Sequence, residues 1–286
     1  MAENKRLTIL EELFAFEHTT FDISLVYIGM LFAASISSLT LYKIILITVA
    51  FFAARAAAMI MNRYAGREND LLDANKRRRA SMGISKDILL DCFCIFAAVL
   101  VLSSYLLNLL AFSLTPILLA WFIIDPMLKP HTEHRHYNIG MMMGFGIFAG
   151  YIGALGRLPL ALPLWLLFIA VILIGGGSDI IYTVSHMDFD RNHGLKTYAS
   201  KHGAETALRY SLYSHILAAL FLVLFGIASR SVIILIGTIL ASGVLLLEHR
   251  KTNYDKKTFR VYGIAHYKGY VGLILLASTV AAFIPL

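Results

Sequence analysis

The chain has 286 residues, 58% of them hydrophobic and 15% charged, with a mean hydropathy of +0.72 and a formal net charge of +7. So apolar a composition excludes an ordinary soluble domain, whose interior could not hide that much hydrocarbon. The positive charge reads as membrane topology and attraction to anionic lipid or phosphate, with no call for nucleic acid.

Roughly 20 apolar residues cross a bilayer as a helix. Nine such runs occur in chain order, at about 22–40, 42–61, 87–104, 108–127, 139–156, 159–182, 207–228, 231–248 and 268–286. No run alternates as a barrel strand would, and backbone groups in lipid must be satisfied within their own segment. The expected fold is therefore an all-α bundle of nine transmembrane helices. Residues 1–20 carry no signal-peptide cleavage site, and Ile9, Leu10, Leu13, Phe14 and Phe16 predict an amphipathic helix lying at the interface. No linker rich in Pro, Ser or charge divides the chain, so residues 1–286 are expected to form one domain.

Long polar loops at 62–86, 128–138 and 183–206 alternate with short connections near 40, 105, 157 and 229. Lys5, Arg6, the run Lys76–Arg79 and the basic residues of 129–135, 191–209 and 250–268 fall on one side, and Lys43, Arg157 and Arg230 on the other. The asymmetry predicts a plasma (inner) membrane protein with a cytoplasmic N-terminus, cytoplasmic acidic loops and the C-terminus outside.

Two acidic runs at cytoplasmic helix ends carry the functional signal. Asn62, Gly66 and Asp70 recur at i, i+4 and i+8, as do Tyr182, His186 and Asp190, so each set lines one helical face. Ionisable groups at a membrane edge mark function by default. Asp73 lies near the first face. Arg55, inside the second span, costs at least ~2.5 kcal/mol unless paired or snorkelling, and Asp179 is a plausible partner.

Other features have plainer readings. Cys92 and Cys94 have the wrong spacing for zinc or a redox pair and are expected as buried core thiols. His131, His134 and His136, loosely spaced around Arg135, read as a polar loop. Gly175–Gly177 lacks a phosphate loop's following Lys-Ser and reads as a close helix approach or a kink. Met141–Met143 reads as adaptable lining or core, and Asp188 as pointing to solvent.

The stretch Glu17-His18-Thr19-Thr20-Phe21, the run from Arg55 to Asn62-Arg63, Asp179 to Tyr182, and Asp188-Phe189-Asp190-Arg191 with Gly194-Leu195 and Gly203 resemble the UbiA superfamily of intramembrane prenyltransferases. They look most like the 4-hydroxybenzoate polyprenyltransferases and their relatives in quinone biosynthesis. With the nine spans, Gly153-Ala154 and Ser214-His215, the resemblance covers essentially the whole chain.

The resemblance implies a central cavity open to lipid and capped by two Asp-rich motifs. These hold Mg²⁺ and through it an isoprenyl diphosphate, whose allylic cation attacks an aromatic acceptor. On that basis Asn62, Asp70, Asp73 and Asp190 would hold metal, with Asp70, Asp190 and Tyr182 at catalytic positions. Arg67, Arg77 and Arg135 would contact diphosphate, His186 would contact substrate, and Arg55 and Asp179, with Tyr182, would position the acceptor.

The chain departs from the family pattern. Gly66 and His186 stand where the family has Asp, Glu133-His134 aligns with a Lys-Arg pair, and Asp73 to Arg77 is the nearest text to an Asn-Pro-Arg-Thr segment. His186 suits a softer metal than Mg²⁺. Two functions therefore stay open: Mg²⁺-dependent prenyl transfer, and a UbiA-like isoprenoid- or quinone-binding protein with a degenerate site and no transfer. A transporter is disfavoured, since the ionisable residues sit at the membrane edge and away from its midplane.

Overall fold

A computed structural model describes residues 16–72, 80–251 and 264–283. In chain order the helices are α1 (Phe16–Ala34), α2 (Leu41–Leu72), a 3₁₀ turn at Ala80–Gly83, α3 (Lys86–Leu107), α4 (Leu109–Met127) and α5 (Arg135–Leu155). Then follow α6 (Leu162–Val184), the short α7 (Met187–Asn192) and α8 (Tyr198–His202), α9 (Ala204–Ala228), α10 (Val232–Lys251) and α11 (Ile264–Phe283). No strand occurs among the described residues.

Seven helices, α2 to α6, α9 and α10, are long and apolar enough to cross a bilayer, while α1 and α11 hold shorter apolar stretches, 19–34 and 267–283. A count of nine spans requires those two to cross as well. The expected interfacial helix over 1–20 lies mostly outside the described residues, and from Phe16 onward the chain is already part of α1.

Local chemistry sets the boundaries. Ser85 caps α3 by accepting from the Ile88 amide at 3.3 Å. Asn108, in extended backbone, closes α3 and starts α4: its Oδ1 accepts from the Ala111 amide (2.9 Å), and its Nδ2 donates to the Ile152 carbonyl near the end of α5 (2.9 Å). α5 stops at Gly156, whose φ of +69° is the left-handed stop glycine adopts at least cost.

The helices form two packed groups. In the first, α1 packs between α5 and α11, α6 between α5 and α9, and α10 between α9 and α11. Phe21, Leu25, Ile147, Leu167, Leu222 and Phe225 fill the core of this ring. The second group, α2 to α4, has its own core of Ala56, Ala57, Ile60, Leu89, Leu100 and Phe122. It meets the ring chiefly through α5. The glycine run of α6 makes one of the closest contacts in the ring. A Cβ on Gly175 would lie 2.6 Å from the Gly140 Cα, and one on Gly140 would lie 2.2 Å from the Ile172 carbonyl oxygen. The run therefore serves close helix approach, and α6 continues through it without a break.

Cys92 and Cys94 correct the expectation of buried thiols. Cys94 is exposed, and Cys92 is half-buried against the core of the α2–α4 group, where a thiol behaves as a small apolar group.

Candidate active site

A cavity of about 1530 Å³ lies between the two helix groups. Its walls are largely apolar, with Ile47, Phe51, Leu114, Trp121, Phe145 and Trp165 among them, and its ionisable groups gather toward one end. The length of α2 explains the arrangement. At 1.5 Å per residue its 32 residues extend about 48 Å, well beyond a hydrocarbon layer of about 30 Å. The apolar run ends at Met61, and the helix carries Asn62 to Asp70 past it to the cavity mouth.

Asn62, Asp70, Tyr182, His186 and Asp190 all line this cavity, as the spacing predicts. Asp70 is 7% exposed and Asp190 2%. Asp70 lies 3.7 Å from Arg63 on the same helix face. The second motif departs from the expected single helix, because α6 ends at Val184 and α7 begins only at Met187. Asp190 still reaches the cavity. Its amide donates to the His186 carbonyl and its own carbonyl accepts from the Leu195 amide, both at 2.8 Å. Gly194, at φ +69°, makes the turn that allows this. The Tyr182 and His186 rings remain 5.2 Å apart. Asp188 is exposed, as expected.

Several assignments need correction. Arg67 does not line the cavity; its Nη2 donates to the Met82 carbonyl at 2.9 Å and ties α2 to the 3₁₀ turn. Arg55 is paired, but with Asp22 of α1 and not with Asp179. Asp179 instead lies 2.6 Å from His136 Nδ1. The Tyr198 amide donates to His136 Nε2 at 3.4 Å, which places the imidazole proton on Nδ1, facing Asp179. Arg135 does line the cavity, held by Asp125 through Nη2 to Oδ2 (2.7 Å) and Nε to the backbone carbonyl (3.0 Å). Asp73 and Arg77 lie outside the described residues.

Glu133 does not line the cavity. It accepts from Lys201 at 2.5 Å, and that bond holds its carboxyl down to about 2. Two cations that the sequence reading missed, Lys129 and Lys196, line the cavity. The Lys196 amide donates to the Lys129 carbonyl at 3.1 Å, which joins the loop after α4 to the loop after α7. Asp22, Asp125, His136 and Lys268 were missed too. The available signal was a lone charge within or beside an apolar run, which Asp22, Asp125 and Lys268 all carry. His134 Nδ1 lies 3.1 Å from the Tyr198 hydroxyl. Burial pushes that phenol up to about 12, so it stays a neutral hydrogen-bonding group.

The donors at the mouth suit a hard cation. Asn62, Asp70 and Asp190 offer oxygen from opposite sides, the ligand Mg²⁺ prefers. No group of three His, Cys, Asp or Glu side chains among the described residues is close enough to hold a metal alone. A cation here would need further oxygens, such as those of a diphosphate.

The profile of the UbiA prenyltransferase family matches residues 23–265. The chain is 30% identical over 171 residues to a 4-hydroxybenzoate octaprenyltransferase of Haemophilus ducreyi, covering 58% of this chain and 57% of that one. It is 27% identical over 209 residues to the enzyme of the same name from Actinobacillus pleuropneumoniae, covering 70% and 68%. The match thus spans a little over half of the first relative. An apo UbiA homolog from Aeropyrum pernix superposes with a TM-score of 0.82 at 26% identity, over 94% of this chain and 98% of that one. A homolog from Archaeoglobus fulgidus bound to GPP and Mg²⁺ gives 0.74 at 17% identity, over 96% and 99%, a likeness of fold.

Proposed function

The chain belongs to the UbiA prenyltransferase family, and from that premise we propose that it moves a polyprenyl group from an isoprenyl diphosphate to an aromatic acceptor, a hydroxybenzoate-like quinone precursor, inside the membrane. The observation that carries this reading is the meeting of Asn62, Asp70 and Asp190 with Arg63, Lys129, Arg135 and Lys196 around one cavity whose walls are largely apolar. Anions and cations together at the mouth of a hydrocarbon-walled chamber suit a substrate with a charged head and a greasy tail.

Asn62, Asp70 and Asp190 would hold Mg²⁺, which when bound neutralises the charge gathering on a departing diphosphate. Arg135, fixed by Asp125, and the two loop lysines hold the phosphate oxygens. The apolar walls take the isoprenoid and keep water from an allylic cation, while the Tyr182 ring offers that cation a π face. Asp179, oriented by His136, is placed to receive the proton displaced from the acceptor ring. We also read α1 and α11 as crossing the membrane, which gives nine spans, with the mouth and N-terminus cytoplasmic and the C-terminus outside.

A protein that only held a neutral quinone has no use for two carboxylates and four cations lining the mouth of its cavity, whereas a metal-bound diphosphate uses both. This favours transfer over binding alone. The test is to incubate purified protein with radiolabelled prenyl diphosphates of several lengths, Mg²⁺ and a panel of aromatic acids, and to extract a labelled lipid-soluble product. Asp190→Asn should abolish the product and the divalent dependence of diphosphate binding. No product from any pair, together with diphosphate binding that is equal in excess chelator, would reject the assignment.

A further inference from the structure

Lys268 of α11 is only 5% exposed, yet it lines the cavity. No role described so far uses it. Among the described residues its ammonium has no hydrogen-bond partner, and the group beneath it is the Phe21 ring, 5.8 Å away at the centroid. It feels three carboxylates, Asp22, Asp179 and Glu248, and the Arg55 guanidinium. Each carboxylate has another neighbour. Asp22 is paired with Arg55, Asp179 with His136, and Glu248 Oε2 lies 3.6 Å from His215 Nδ1 on the side away from the cavity.

A buried ammonium with no direct acceptor is costly. Its three N–H donors have no acceptor of their own, so they select a group that supplies negative charge. Arg55, the cation the sequence offers for this task, is already closed onto Asp22. Arg55 lies seven residues before Asn62 on α2, about 10 Å along the helix, and Lys268 shares its neighbourhood. That rise is on the scale of one substituted aromatic ring.

We propose that Lys268 anchors the carboxylate of an aryl carboxylic acid acceptor and so selects acids over neutral arenes. The assignment rests on the prenyl-transfer reading for the ligand's purpose, but its test needs no transfer. Calorimetry on the purified full chain, without prenyl diphosphate, compares 4-hydroxybenzoate with 4-hydroxybenzamide, with palmitate as competitor. The acid should bind about tenfold or more tightly than the amide, the scale of one charge-assisted hydrogen bond. Lys268→Met should remove that preference and leave amide and prenyl diphosphate affinity in place, and Lys268→Arg should restore most of it. In turnover, the KM for the acid should rise far more than kcat falls.

Equal binding of acid and amide by the natural protein overturns the proposal, as does an unchanged preference in a folded Lys268→Met. If that variant does not fold, the acid-to-amide ratio of the natural protein decides alone. Binding of palmitate without 4-hydroxybenzoate would reassign the ammonium to a lipid carboxylate and overturn the aryl assignment. An acid preference without any prenyl transfer would keep this inference and reject the catalytic one.

Discussion

Replacing Gly66 by Asp tests whether the cavity mouth is a divalent-cation site. A Cβ at position 66 meets nothing nearer than Asp70 Oδ2, at 3.9 Å, so the side chain fits and its carboxylate falls beside Asp70, one turn along α2. Two unit charges 4 Å apart repel by about 1 kcal/mol in water and about 4 kcal/mol at the effective dielectric near a protein surface. Asp70 is buried but borders a large cavity, so the metal-free variant should lose about 1–4 kcal/mol, less a small gain in helix propensity from removing glycine. A divalent cation reverses the sign, because each added carboxylate strengthens its site, and a ligand at a hundredfold its Kd contributes about 2.7 kcal/mol. In chelator, Gly66→Asp should melt below the natural protein. With Mg²⁺ and pyrophosphate its melting temperature should rise by the larger amount. Transfer should quicken as well, tenfold for each ~1.4 kcal/mol gained in the transition state. Fluorescence-detected melting in detergent makes the comparison, and equal Mg²⁺-induced shifts in the two proteins would refute a cation between α2 and α7.

Arg55→Met takes from the buried Asp22 carboxylate its guanidinium and leaves the Lys268 ammonium as a neighbouring cation, so it should cost less than the about 3–5 kcal/mol of a fully stranded charge; Asp22→Leu combined with Arg55→Met should regain most of the loss, as read by denaturation in mixed micelles. The Glu133–Lys201 pair gives a small pH signal. Because the folded pKa of Glu133 lies below its ordinary 4.5, at about 2, its contribution is complete above pH 4.5 and disappears as pH falls through about 2. Lys201 is half-exposed, so solvent limits the pair to about 0–1 kcal/mol, and Lys201→Met should flatten that segment of the acid-unfolding curve. A reporter fused after Leu286 should be extracytoplasmic; a cytoplasmic signal would change the span count by one.

The long helices were legible because hydrocarbon imposes a length that a 20-residue window detects, and the two acidic motifs were legible because a carboxylate at the end of such a run is conspicuous. Pairing was not. Arg55 has Asp22 and Asp179 as candidates, and only the way α1 packs beside α5 and α11 selects the first. The periodicity of Tyr182, His186 and Asp190 put them on one helical face and missed the break after Val184; all three still line the cavity, because a turn followed by a short helix can carry residues to the same side. Lys129 and Lys196 were counted as topology signals and nothing more. Their meeting depends on a backbone bond between two loops far apart in sequence, which no local pattern encodes.

The two separate cores have a consequence for how the protein melts. Asn62 and Asp70 belong to the α2–α4 group, whereas Asp190 follows the last turn of a helix in the ring. A ligand held by all three works as a clasp, bridging bodies that otherwise join mainly along α5. Empty, the protein should unfold in two steps, the smaller three-helix body loosening first. Loaded, it should unfold as one cooperative unit, so the sharpness of the transition reports occupancy of the site as directly as its midpoint does.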